Sequence, residues 1–271
     1  MQQLGPERRF QSSFGEIAYD IKGGGSPIVL VHGTPWSSFS WRHLIPPLSQ
    51  WFKVYYYDLL GYGASEKRIG DVSLGVQNKV FCELLDYWGL EAPVAIGHDF
   101  GGTTILRAHL LDGRSFDKII LIDPVAIAPW GSDFFTHVKS YENAFKNIPP
   151  YIHKALISTY VLGAKYKSVD EKTLNGLIEP WLGPTGQPAF YRQIAQSSQK
   201  YTDEIENEYT TIRTTVLIVW GEEDSWIPIE KGHKLNNAIK DSEFVQIAES
   251  GHLVMEDQPT ILLSHILKLL I

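Results

Sequence analysis

Short apolar runs rich in β-branched residues alternate along the chain with stretches whose apolar positions recur every three or four residues. The first pattern predicts strands buried on both faces, and the second predicts amphipathic helices. Strands are expected at 28–31, 54–57, 93–96, 119–122, 216–220 and 244–247, with an opening pair around Phe10 and 17–21. Val80, Phe81, Leu84, Leu85 and Trp88 mark one buried helix face, and Gly89 is placed to end that helix. Such alternation predicts a mostly parallel sheet covered by helices.

The alternation stops after Pro124, and no core strand is expected before Thr215. The intervening stretch carries Tyr141, Tyr151, Tyr160, Tyr166, Tyr191 and Tyr201 with Trp130 and Trp181, and it has helical spacing over 152–161 and 187–199. The expected organisation is one core domain, 1–124 and 206–271, with a helical cap inserted at 125–205.

Composition narrows the function. Hydrophobic residues make up 44% and charged residues 20% of the 271 positions, enough apolar surface for a folded core and too much for a disordered chain. A formal net charge of −7 without any Lys/Arg cluster argues against nucleic acid as a partner. The single cysteine, Cys82, rules out an internal disulfide framework and falls on an apolar helix stripe, where an inert thiol is expected. Residues 1–10 are polar, include Arg8 and Arg9, and do not read as a secretory signal. No apolar run reaches the length of a membrane span, so the expected compartment is the cytoplasm.

The chemistry concentrates in Gly97-His98-Asp99-Phe100-Gly101-Gly102, between a predicted strand and a predicted helix. This is the layout of a nucleophile elbow, in which glycines two positions either side of the nucleophile let neighbouring backbone approach. Asp99 stands at the nucleophile. A serine there needs a base to take its proton, whereas a carboxylate, with a reference pKa of about 3.9, is already ionised. A carboxylate suits in-line displacement at a saturated carbon, which leaves an alkyl ester for water to remove. The competing reading is an ordinary helix start capped by Asp99, and three further motifs in chain order weigh against it.

Gly221-Glu222-Glu223-Asp224 closes one strand, and Ser250-Gly251-His252 follows the last. His252 is the candidate base that activates water, and Asp224 the carboxylate that orients its imidazole. Asp123, at the end of another strand, is a rival acid. His32-Gly33-Thr34-Pro35 should bring the N–H of Thr34 beside the N–H of Phe100, and two such donors make an oxyanion hole.

Together with Asp58-Leu59-Leu60-Gly61-Tyr62-Gly63-Ala64-Ser65, these motifs resemble the epoxide hydrolases and haloalkane dehalogenases of the α/β-hydrolase fold, and the likeness runs through nearly the whole chain. The resemblance implies an eight-stranded, mostly parallel sheet with an inserted cap, and a triad of Asp99, His252 and Asp224. It implies no metal and no organic cofactor, a small hydrophobic substrate with water, and a monomer or homodimer. An epoxide oxygen leaves as an alkoxide and wants a proton donor, whereas a halide wants only N–H donors. Ser140-Tyr141-Glu142 and Phe190-Tyr191-Arg192 resemble the two cap tyrosines of epoxide hydrolases, so Tyr141 and Tyr191 are the candidate acids. Haloalkane dehalogenases usually carry Trp where this chain has Phe100, which offers no donor. Trp36, Trp130 and Trp181 are the remaining indoles available to a halide. Epoxide hydrolysis to a diol is therefore the leading expectation, haloalkane dehalogenation the second. A non-catalytic ligand-binding protein on the same fold is the third.

Overall fold

The apolar runs become the middle of one sheet. The computed structural model describes residues 5–271, so residues 1–4 of the N-terminal stretch read above lie outside the described residues. Eight strands, β1 Arg8–Gln11, β2 Glu16–Lys22, β3 Pro27–Val31, β4 Lys53–Tyr57, β5 Val94–His98, β6 Lys118–Ile122, β7 Thr215–Gly221 and β8 Glu243–Ile247, stand in the order β1-β2-β4-β3-β5-β6-β7-β8. β1 and β2 are antiparallel to their neighbours and every other pairing is parallel. Central strands covered on both faces, such as β5, are buried at every position, which is why they read as unbroken apolar runs.

β5 extends beyond the expected 93–96 because Gly97 and His98 still pair, with Leu121 and Ile122 of β6. Gly97 serves the close backbone approach expected of an elbow glycine. A Cβ there would lie 2.7 Å from the backbone of Gly101, and one on Gly101 would collide with the Val31 carbonyl.

Before β6 come α1 (Ile45–Leu48), α2 (Leu74–Trp88) and α3 (Phe100–Leu110). α2 buries Val80, Phe81, Leu84 and Leu85, and Gly89 ends it in the left-handed conformation, with Leu90 N–H returning to the Leu85 carbonyl. Burial pushes the Cys82 thiol on this helix up to about 11. Between β6 and β7 the described residues contain no strand. They form α4 (Asp133–Ser140), α5 (Glu142–Lys146), α6 (Pro150–Leu162), α7 (Glu171–Ile178), α8 (Gly183–Ala195) and α9 (Lys200–Glu206). The helical run expected at 187–199 ends with α8 at Ala195, four residues early, where the Ser197 hydroxyl donates to the Gln193 carbonyl at 2.9 Å, and α9 starts only at Lys200. α10 (Ile229–Ala238), α11 (Val254–Asp257) and α12 (Pro259–Leu270) complete the layers. Among the described residues no helix is long and apolar enough to cross a membrane.

The inserted helices dock on the loop after β3. The Trp181 indole donates to the Pro35 carbonyl at 2.7 Å, and Gln193 of α8 accepts the hydroxyls of Thr34 at 2.6 Å and Tyr62 at 2.9 Å. All the loops that matter for chemistry leave the carboxyl ends of parallel strands, where such sheets place their sites.

Candidate active site

Asp99 follows β5 directly and starts α3. It is buried and holds φ 51° with ψ −119°, a positive-φ conformation that costs a non-glycine residue about 1–3 kcal/mol and persists only when its surroundings enforce it. Here they do. The N–H groups of Phe100 and Thr34 donate to Asp99 Oδ1 at 2.6 and 2.7 Å. One carboxylate oxygen is thus clamped between two main-chain donors, and the other, Oδ2, lies 3.4 Å from His252 Nε2.

His252, on the loop after β8, is fully buried. Its Nδ1 donates to Asp224 Oδ2 at 2.8 Å. Asp224 is held in turn, its Oδ1 accepting the N–H groups of Trp226 at 2.8 Å and Ile227 at 2.9 Å. The His98 Nε2 donates to the His252 carbonyl at 2.9 Å, and the Trp226 ring stacks on the imidazole at 5.2 Å. Burial by itself pushes the His252 imidazole down, but the carboxylates of Asp224 and Asp99 outweigh it and hold the ring well above the ordinary histidine range.

A family model described as alpha/beta hydrolase fold matches residues 26–259. The chain belongs to the alpha/beta hydrolase fold family. An alpha/beta hydrolase fold protein from Burkholderia ambifaria is 45% identical, with 96% of this chain and 97% of that one covered and a TM-score of 0.94. A protein named 2-hydroxy-6-oxo-2,4-heptadienoate hydrolase from Pseudomonas putida is 26% identical over 87% of this chain and 86% of its own. Haloalkane dehalogenase 2 from Mycobacterium tuberculosis is 25% identical over 93% and 90%.

In this α/β hydrolase a cavity of about 130 Å³ opens on Asp99, lined by Thr34, Phe100, Trp130, Phe135, Tyr160 and Trp226 among others. The structure does not bring Tyr141 or Tyr191 to it. Tyr141 sits at the α4–α5 junction, 56% exposed. Tyr191 is buried in α8 and its hydroxyl donates to His153 Nδ1 at 2.8 Å, the ring's Nε2 being the donor to the Trp181 carbonyl at 2.9 Å. Packing in α8 turns Tyr191 to His153, and Tyr141 stands on the exposed junction between two helices.

The tyrosine lining the cavity with Asp99 is Tyr160 of α6. Its ring stacks on Trp226 at 4.5 Å, and burial followed by the nearby Asp99 charge keeps the phenol well above its usual range, so it holds its proton. On α6 the fully buried positions are His153, Ile157 and Val161, an i, i+4 stripe. Tyr160 flanks that stripe, the one sequence signal that could have singled it out. Of the tryptophans, Trp130 gives its N–H to Thr202 Oγ1 at 2.8 Å and Trp181 to Pro35, while Trp36 is buried behind Trp226 at 5.6 Å with no partner for its N–H among the described residues.

Asp123 is also buried at φ 41°, with Oδ1 accepting the Gly221 N–H at 2.9 Å. Burial and then the charge of Asp224 push its carboxyl well above the usual range. His252 is bonded to Asp224 and not to this rival. Asp123, Asp224 and His252 offer ligand atoms within 4.8 Å of one another, and two of these side chains are already joined by the His252–Asp224 bond.

Proposed function

We propose that this α/β hydrolase forms a covalent alkyl ester on Asp99 and hydrolyses it with His252 and Asp224, the favoured substrate being a small hydrophobic epoxide. One observation carries the reading: Oδ1 of Asp99 is tied to two N–H groups while Oδ2 faces His252 beside an apolar cavity. That arrangement aims one oxygen at carbon and keeps two donors in place for the oxyanion of the second step.

In the first step Asp99 Oδ2 attacks a ring carbon, the C–O bond breaks, and the Tyr160 hydroxyl protonates the departing oxygen. The tyrosinate regains its proton from the His252 imidazolium by way of solvent. Esterification has removed the Asp99 charge, one of the two holding that imidazolium, so the neutral ring forms readily. Neutral His252 then takes a proton from water, hydroxide adds to the ester carbonyl, and the oxyanion rests on the Thr34 and Phe100 N–H groups. Collapse expels the second diol oxygen, which is protonated by His252, and the carboxyl proton left on Asp99 returns to the imidazole. The net change is epoxide plus water to diol.

Haloalkane dehalogenation shares every step except the proton from Tyr160. The relative named haloalkane dehalogenase 2 favours it as the second reading.

His252→Gln incubated with panels of epoxides and haloalkanes should accumulate an adduct on Asp99, read by intact and peptide mass. Attack needs no histidine, and release does. Absence of an adduct from either panel overturns the ester reading and favours a binding protein. Tyr160→Phe should slow epoxide opening by about a hundredfold or more, the scale of a general-acid contribution, and leave alkylation by haloalkanes unchanged. Equal rates on epoxides would remove Tyr160 from the mechanism.

A further inference from the structure

One buried carboxylate joins the histidine loop to the inserted helices. Asp257, the last residue of α11, is almost fully buried. Its Oδ2 accepts the N–H groups of Tyr166 at 2.9 Å and Gly251 at 3.0 Å, and its Oδ1 accepts that of Lys167 at 3.0 Å. The buried Lys165 ammonium lies 3.6 Å from Oδ1, and the Lys167 ammonium donates to the Asp257 carbonyl at 3.0 Å.

These partners bracket His252. Gly251 precedes it, and Leu253 follows it and donates its N–H to the Ala164 carbonyl at 3.1 Å. The two strands of backbone are so close that a Cβ on Gly251 would sit 2.8 Å from the Ala164 oxygen and 2.9 Å from the Tyr166 nitrogen. Segment 164–167 continues from α6, the helix that carries Tyr160. It also borders the acid loop, since the Ser225 hydroxyl donates to the Gly163 carbonyl at 3.0 Å. A carboxylate that served only to start α12 would take that helix's own free N–H groups. The side chain of Asp257 instead takes N–H groups from the inserted segment and from the histidine loop, with a buried ammonium to balance its charge.

We propose that Asp257 is a positioning residue that locks the His252 loop to segment 164–167, so that His252 is aimed at the Asp99 ester only while the inserted helices are docked. The proposal rests on the ester reading above for its kinetic consequence. Attack by Asp99 does not use His252, so a fault in this lock must appear in release and not in ester formation.

The test uses Asp257→Asn and the double variant Lys165→Met/Asp257→Asn, which leaves no ammonium unpaired if the single variant folds poorly. Amide exchange at 164–167 and 251–253 should quicken together in both, by about tenfold or more, the scale of one lost hydrogen bond to a charged group. The strands β3 to β7 should keep their protection. With a substrate that alkylates His252→Gln, ester formation should keep its rate while release slows by about a hundredfold, as an ångström-scale misplacement does. Exchange that changes in one segment alone, or formation and release falling by the same factor, overturns the proposal. If His252→Gln gives no adduct with any substrate, the ester reading fails, and the paired exchange still decides whether Asp257 locks the two segments.

Discussion

At Asp123 the chain buries a second acid beside the first, and the two differ in what surrounds them. Asp224 receives two main-chain N–H groups and the His252 ring, whereas Asp123 receives one N–H and faces the charge of its neighbour. Asp123 therefore keeps its proton to higher pH in the folded protein than in the unfolded chain, where an aspartate ionises near its reference value of about 3.9. The folded state then binds one more proton than the unfolded state at pH above that value. The contribution of Asp123 to stability is complete below it and is lost as pH rises toward the raised folded value, at about 1.4 kcal/mol per pH unit. Asp123→Asn keeps the shape and removes the titration. Its melting temperature relative to the parent protein should climb steadily as buffers are taken from pH 4 upward. A difference that stays level across that range would mean Asp123 is charged in the fold.

Among the elements, the central strands were legible because burial on both faces leaves them few polar positions, and the opening strand was the faintest for the opposite reason. β1 is exposed or half-buried at every position, so little apolar signal marks it, whereas the edge strand β8 still carries Phe244, Val245 and Ile247 and was expected at 244–247. The elbow was legible too, since steric demands at Gly97 and Gly101 leave a fixed spacing in the sequence. The orientation of side chains on the inserted helices was not. Tyr160 and Tyr191 lie on helical stretches and Tyr141 between two helices, and which of them lines the cavity on Asp99 depends on how α6 crosses the loops after β7 and β8. That crossing is set by contacts between distant segments, and the Trp181 N–H to the Pro35 carbonyl is one that a single substitution removes. Trp181→Phe keeps the packing surface but leaves the buried Pro35 carbonyl without its donor. The expected loss is about 1–3 kcal/mol in denaturant unfolding, the cost of stranding a buried acceptor. No measurable loss would show that the inserted helices are held on the β3 loop by other contacts alone.

For the molecule as a whole the decisive quantity is charge. The net charge is −7, and the residues lining the cavity on Asp99 include neither Lys nor Arg. An anionic substrate therefore meets a repulsive field on approach and finds neither Lys nor Arg lining the cavity, whereas a neutral epoxide or haloalkane is indifferent to both. Raising ionic strength from about 0.01 M to 0.1 M shortens the screening length from about 30 Å to about 10 Å, which weakens the long-range field and leaves the buried site contacts intact. With a neutral substrate kcat/KM should stay constant across that range. With a 2-haloacid it should begin low and rise with added sulfate, because the barrier being screened belongs to the approach and not to the chemistry. Were the acid turned over fastest at the lowest ionic strength, the field at the cavity mouth would have to be positive. The substrate would then be an anion drawn in by charges elsewhere on the surface, against the small neutral substrate proposed for Asp99.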